Sequence, residues 1–242
     1  MKCVTDKEYQ CTAYLLFCHL CSKMTLEEEV MSHFIQTLFS SPRSDTLDSL
    51  LQTYLIVKRS NRTTIESIEG SLSSDCLYEF LSNDQLLYYW KRLASQYDCS
   101  LLVPLLLVPA IELFIEKNQN FALVQQLFET MKKEQLESLF ESTATTMESF
   151  LTQYQDQKEF HRIQNNVTVL LRYLATQFSV EFDTLFATLS VQKQHLNELI
   201  NAVFNGSEHM MVDQGMTLYH ALHHTENNVY DYFLLVYGRR FV

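Results

Sequence analysis

The chain has 242 residues, of which 47% are hydrophobic and 19% charged, values typical of a folded protein with a sizeable buried core. It contains only four Gly and three Pro, whereas average usage would give about seventeen and twelve. This shortage argues against phosphate loops, dinucleotide-binding turns and nucleophile elbows, which need Gly where the backbone meets a ligand or bends sharply. It argues equally against β-sandwiches and β-barrels, which need Gly and Pro in turns at short intervals. We therefore predict an all-α protein.

The charge balance is acidic, because 18 Lys and Arg stand against 29 Asp and Glu and give a net charge of −11. An acidic surface repels phosphate backbones unless basic residues gather on one face. The densest basic clusters are small, and each lies beside a predicted helix end: Lys58, Arg59 and Arg62; Lys132 and Lys133; Arg239 and Arg240. We therefore expect no nucleic-acid partner.

The longest uninterrupted apolar run covers residues 101–111, far less than the roughly twenty residues that cross a bilayer. The first ten residues, MKCVTDKEYQ, are too polar for a secretory signal. We expect no membrane insertion and an intracellular, cytoplasmic protein, in which the six Cys are reduced thiols.

The pattern Ser/Thr-x-x-Glu, which places a capping box at a helix start, occurs at Thr5, Thr25, Thr63 and Thr145. With the apolar periodicity, it predicts N-terminal helices over residues 6–23, 26–40, 46–59 and 64–70. A polar stretch, SLSSD, follows Gly70 and predicts a hinge near 70–75. No linker forces a boundary, so the chain is interpreted as a single domain over 1–242.

The region 76–97 is predicted to be helical, with a break near Asn83 and Asp84. The segment LLVPLLLVPAIELFIEK then begins at residue 101 and is apolar nearly all round. Since a helix without a polar face is buried, residues 101–115 are expected to form the central helix. Pro104 fits its first turn, and Pro109 would lie in its interior.

Downstream, helices are predicted over residues 121–132, 134–144, 146–158, 160–178, 181–204 (broken near Ser190), 208–223 and 226–237. About twelve short-to-medium helices with short connections indicate an irregular bundle or stacked helix pairs resembling an α-solenoid, without a β-sheet. Trp90, Leu93, Ala94 and Tyr97 fit half of the tetratricopeptide pattern. The other half is missing, which favours an ordinary amphipathic helix.

Two clusters contain residue types that bind metal ions. Cys18 and Cys21 have knuckle spacing, but on a helix they share a stripe with Cys11, as core cysteines do. The second cluster is His220, His223 and His224, in which the first and last lie one helical turn apart. An exposed histidine cluster is favoured there, so we predict no metal site, no cofactor and no catalytic residue. Enzymatic activity is left open but is the less favoured interpretation.

Crowded aromatic residues provide the positive functional signal. Successive helical residues differ by about 100° around the axis, so adjacent rings cannot all face one core, and exposed rings are typical anchors of protein interfaces. The predicted partner-binding residues are Tyr88, Tyr89, Trp90, Tyr230, Tyr232, Phe233 and Tyr237.

From these features we predict a non-enzymatic helical interaction module, an adaptor or a subunit of a larger assembly. Its partner would be another protein, and a homo-oligomer is left open. The alternative is a helical ligand- or metal-binding protein, or an enzyme, that uses His220, His223 and His224.

Overall fold

The structure is a computed structural model that describes residues 7–24, 26–40, 45–60 and 74–204. Its contacts divide the chain into two compact units, residues 1–167 and residues 168–242, and the boundary falls inside one helix. The interpretation as a single all-helical domain over 1–242 stays a prediction. The expected hinge near 70–75 lies mostly outside the described residues.

The regular elements among the described residues are all helical, which confirms the all-α prediction. The helices up to the unit boundary are α1 (Lys7–Lys23), α2 (Glu28–Ser40), α3 (Leu47–Ser60), α4 (Ser74–Leu81), α5 (Leu86–Gln96), α6 (Val103–Lys117), α7 (Phe121–Thr130), α8 (Leu136–Tyr154) and α9 (Phe160–Gln177). Short 3₁₀ turns precede α6 and α8. The predicted break near Asn83 is confirmed, since α4 ends at Leu81 and α5 begins at Leu86.

The helices of the first unit pack in two rows. In the odd row α1 contacts α3, α3 contacts α5 and α5 contacts α7, while in the even row α2 contacts α4, α4 contacts α6 and α6 contacts α8. Helices two positions apart in the chain are thus neighbours, as they are when helix pairs stack on one another. Of the two predicted arrangements, this packing is that of stacked pairs.

Helix α6 is the central helix of this unit, as expected. It contacts α4, α7 and α8, and its buried side chains include Leu106 and Ile111. Pro104 lies in its first turn and Pro109 inside it. The Nδ2 atom of buried Asn166 donates hydrogen bonds to the carbonyl oxygens of two residues near the end of α6, at 3.4 and 3.0 Å. This contact satisfies a buried polar group.

The predicted boundary between helices 134–144 and 146–158 is wrong, because α8 runs unbroken from Leu136 to Tyr154. Two threonine hydroxyls near this point bond within the helix: Thr143 donates to the carbonyl of Leu139 at 2.6 Å, and Thr146 to that of Ser142 at 2.9 Å. Threonine in a helix interior commonly bonds backward in this way. The capping pattern at Thr145 therefore lies within a helix and does not begin one.

The second unit is described from residue 168 to residue 204. After α9 it contains α10 (residues 179–190), whose middle section, Phe182–Phe186, is π-helical, and α11 (Gln194–Phe204). The rings of Phe182 and Phe186 stack at 5.3 Å between centroids. The predicted break near Ser190 is confirmed. The helices predicted over 64–70, 208–223 and 226–237 lie outside the described residues.

Candidate interaction surfaces

The aromatic cluster on α5 divides between core and surface. Trp90 is fully buried, and its Nε1 atom donates a hydrogen bond to Oγ1 of Thr130 at 3.3 Å. Tyr88 is 64% exposed and Tyr89 half-buried, with their rings edge to face at 5.3 Å. Trp90 is thus a core residue. Of the three predicted partner-binding residues on α5, Tyr88 and Tyr89 remain candidates. The other four predicted partner residues, Tyr230, Tyr232, Phe233 and Tyr237, lie outside the described residues.

The N-terminal cysteines share one side of α1 and behave as small apolar residues. Cys21 is buried with its Sγ atom 3.8 Å from Sδ of Met31, while Cys11 and Cys18 are half-buried. Burial, with a smaller contribution from Cys18, raises the pKa of Cys21 to about 11. Burial also raises the pKa of Cys18. Both thiols therefore stay protonated near neutral pH, and a thiol must lose its proton to bind a metal or act as a nucleophile.

Within the described residues, no group of three or more His, Cys, Asp or Glu side chains is placed to hold a metal ion. The cluster of His220, His223 and His224 lies outside that part of the chain. No described helix is both long enough and apolar enough to cross a membrane.

A polar cluster around Asp98 ties three odd-row helices together at their C-terminal ends. Arg59, at the end of α3, donates from Nη2 to the carbonyl oxygen of Asp98 at 2.9 Å. Lys132, just after α7, places Nζ 2.5 Å from Oδ2 of the same residue. Ser100 donates to Oδ1 from its backbone N and its hydroxyl, at 3.1 and 2.7 Å. Arg59 and Lys132, from two basic clusters that are far apart in sequence, therefore both contact Asp98, the first at its backbone and the second at its carboxylate. We call this set of contacts the Asp98 latch.

The Asp98 latch should make the stability of the fold depend on pH in the acid range. Hydrogen bonds from Lys132 and then from Ser100 lower the pKa of Asp98 to about 2, below the value of about 3.9 of an unfolded chain. The latch therefore stabilises the fold fully above about pH 4, and this stabilisation is lost as the pH falls toward 2. Since both charged side chains are about half exposed, solvent screening limits the effect to less than about 1 kcal/mol.

Chemical denaturation of Lys132→Met near pH 5 and near pH 2.5 measures this contribution. We expect the variant to lose stability at the higher pH and to approach the unmodified chain at the lower one. Lys133→Met is the matched control, because it removes the neighbouring charge from the same exposed turn. Equal stability losses for Lys132→Met at both pH values would contradict the assignment.

A second apolar surface was missed by the sequence analysis. It is a stripe along α1 that we call the α1 stripe: Tyr9, Ala13, Leu16, Leu20 and Met24. All of these are exposed except Leu20, which is half-buried. The sequence contains a signal for this stripe. Its members Tyr9, Ala13, Leu16 and Leu20 each come one position before a residue that the fold buries, at positions 10, 14, 17 and 21. A helix with two adjacent apolar stripes has more apolar width than one core contact covers.

Two rows of stacked helices with exposed apolar and aromatic side chains define a helical scaffold, a class that offers extended surfaces to other macromolecules. Residues 1–110 match the family model for U3 small nucleolar RNA-associated protein 10. The matched part is a little under half of the chain and contains α1–α5 and the start of α6. No curated protein matches, and neither does any solved structure.

This match contradicts two expectations. The expectation of no nucleic-acid partner is wrong, because the matched family is described by its association with a small nucleolar RNA. The expected cytoplasmic location is wrong for the same reason, since the RNA in that description is nucleolar. Both expectations rested on properties of the whole chain. Net charge describes an average surface, whereas association with an RNA-containing assembly depends on local surfaces.

The broader part of the predicted function, a helical subunit of a larger assembly, agrees with the match. The helical fold, with its rows of packed helices, suits such a subunit.

Proposed function

We propose that the chain is a non-enzymatic scaffold subunit of an assembly that contains U3 small nucleolar RNA. The observation that supports this is the family match over residues 1–110. The matched residues supply α1, α3 and α5 of the odd row, and α2 and α4 of the even row. They also include Tyr88 and Tyr89, through which the scaffold would contact a neighbouring protein.

The chemistry of these surfaces supports a binding role. Tyr88 combines a large apolar ring with a polar hydroxyl and is exposed on a helix, a combination that is enriched at energetically important interface positions. The Asp98 latch holds the ends of α3, α5 and α7 in place, and a preorganised surface loses less conformational entropy when it binds.

Capture of the tagged full-length chain from a nuclear extract tests the proposal. We expect U3 small nucleolar RNA to be enriched about tenfold or more over an unrelated small nucleolar RNA, a preference equivalent to about 1.4 kcal/mol. Quantitative reverse-transcription PCR on the eluted RNA gives the ratio.

Capture after ribonuclease treatment is the control, and it distinguishes proteins retained through RNA from those bound to the chain itself. Equal recovery of U3 and the unrelated RNA would overturn the proposed function.

A further inference from the structure

The α1 stripe lies on the side of α1 that is turned away from α3. Two cysteines of α1 make hydrogen bonds with α3: Sγ of Cys11 donates to Oγ of Ser49 at 3.7 Å, and Sγ of Cys18 donates to the carbonyl oxygen of Thr53 at 4.0 Å. These cysteines therefore mark the direction from α1 to its neighbour in the odd row.

Each cysteine has members of the α1 stripe two positions away on both sides. Tyr9 and Ala13 flank Cys11, while Leu16 and Leu20 flank Cys18. Two positions correspond to about 200° around a helix. The stripe thus faces outward along the axis of the odd row, at the position that a preceding helix of that row would fill.

Helix α2 repeats this geometry in the even row. Phe39 packs edge to face on Phe80 of α4, with ring centroids 5.2 Å apart. Val30 precedes Phe39 by nine positions, or about 180° around the helix, and it is exposed. Both rows therefore present apolar side chains at the same end of the stack. We call this surface, the α1 stripe together with Val30, the stack face.

Exposed apolar area is concentrated in this part of the molecule. Four of the ten strongly exposed large apolar side chains among the described residues lie on the stack face: Tyr9, Leu16, Met24 and Val30. Tyr9 and Leu16 are each 59% exposed. Exposed large apolar side chains that are concentrated on one surface mark an interaction site.

The charges near the stack face favour a basic partner. Three exposed carboxylates, Glu27, Glu28 and Glu29, lie at the start of α2, while Lys23 is an exposed cation at the end of α1. Electrostatic complementarity selects partners whose charges oppose those of the surface.

We propose that the stack face binds an amphipathic helix pair of another protein, with an apolar stripe and Lys or Arg on its flanks, which extends the two rows. The inference rests on the proposed function, because the partner is taken to belong to the same RNA-containing assembly.

Photo-crosslinking from the stack face identifies the occupant. Leu16 is replaced by p-benzoylphenylalanine in the tagged full-length chain, the extract is irradiated, and the crosslinked segment is mapped by mass spectrometry. We expect one segment of another protein, with apolar residues at helical spacing and basic flanks. The same photoprobe at Leu15 is the matched control, because that leucine is 72% exposed on the same helix but lies outside the stripe.

A pair of variants measures the strength of the contact. Leu16→Glu should reduce recovery of the crosslinked partner about tenfold or more, whereas Leu15→Glu should leave its recovery nearly unchanged. Both should keep the melting temperature of the original chain, because both leucines are exposed.

Several outcomes would overturn the inference: a crosslink to a second copy, to a segment of the same chain or to RNA, or equal crosslinking from positions 15 and 16. U3 RNA recovery is measured in the same eluates. Recovery of U3 without the expected crosslink refutes the stack-face inference alone. The expected crosslink without U3 refutes the proposed function alone.

Discussion

Leu106→Asp is expected to abolish the cooperative thermal unfolding transition and to leave the helices around α6 unfolded at room temperature. Leu106 is 1% exposed in the helix that contacts α4, α7 and α8. An aspartate there would bury a carboxylate without a partner, at a cost of several kcal/mol. This is comparable to the total stability of a typical domain, about 5–15 kcal/mol. Circular dichroism during a thermal scan measures the loss.

Two controls accompany this variant. Leu15→Asp introduces the same charge at an exposed leucine and should leave the transition nearly unchanged. Leu106→Ala retains apolar character and should cost about 2–5 kcal/mol, enough to lower the melting temperature while a transition remains visible. A soluble Leu106→Asp variant with the original melting temperature would refute the central position of α6.

Trp90→Ala is expected to cost about 3–5 kcal/mol of stability, because it removes the largest fully buried side chain of the described residues. It also removes the hydrogen bond that Nε1 donates to Thr130. Trp90→Phe should cost less, since most of the apolar volume remains. Urea denaturation followed by circular dichroism gives the free energies of unfolding.

Tyr88→Ala is the control from the same helix. Because Tyr88 is 64% exposed, its removal should change stability by less than about 0.5 kcal/mol. The two variants would then distinguish Trp90, a core residue, from Tyr88, a candidate interface residue. A larger stability loss for Tyr88→Ala than for Trp90→Ala would contradict the assignment of Trp90 to the core.

Helix positions were largely predictable because apolar periodicity and sequence breaks are local signals. The break near Asn83 and the burial of α6 both follow from patterns within a few turns of the chain. The capping pattern at Thr145 was misleading for a physical reason. A Ser/Thr-x-x-Glu sequence marks a helix start only where the preceding backbone is non-helical, and the packing of α8 keeps it helical throughout.

The candidate sites were less predictable, because they depend on which elements meet. Three consecutive aromatics indicated that some ring on α5 would be exposed, but the choice between Trp90 and Tyr88 depended on the position of α7, which supplies Thr130. The Asp98 latch joins residues 59, 98 and 132. No local pattern relates positions so far apart, so the basic clusters remained separate until the odd row brought them together.

The Asp98 latch also has a mechanical consequence. It ties the C-terminal ends of α3, α5 and α7 at one carboxylate and its backbone, so these helices resist spreading along that edge. We therefore expect a change in the curvature of the stack to separate these helices more at their opposite ends than at the ends that the latch joins.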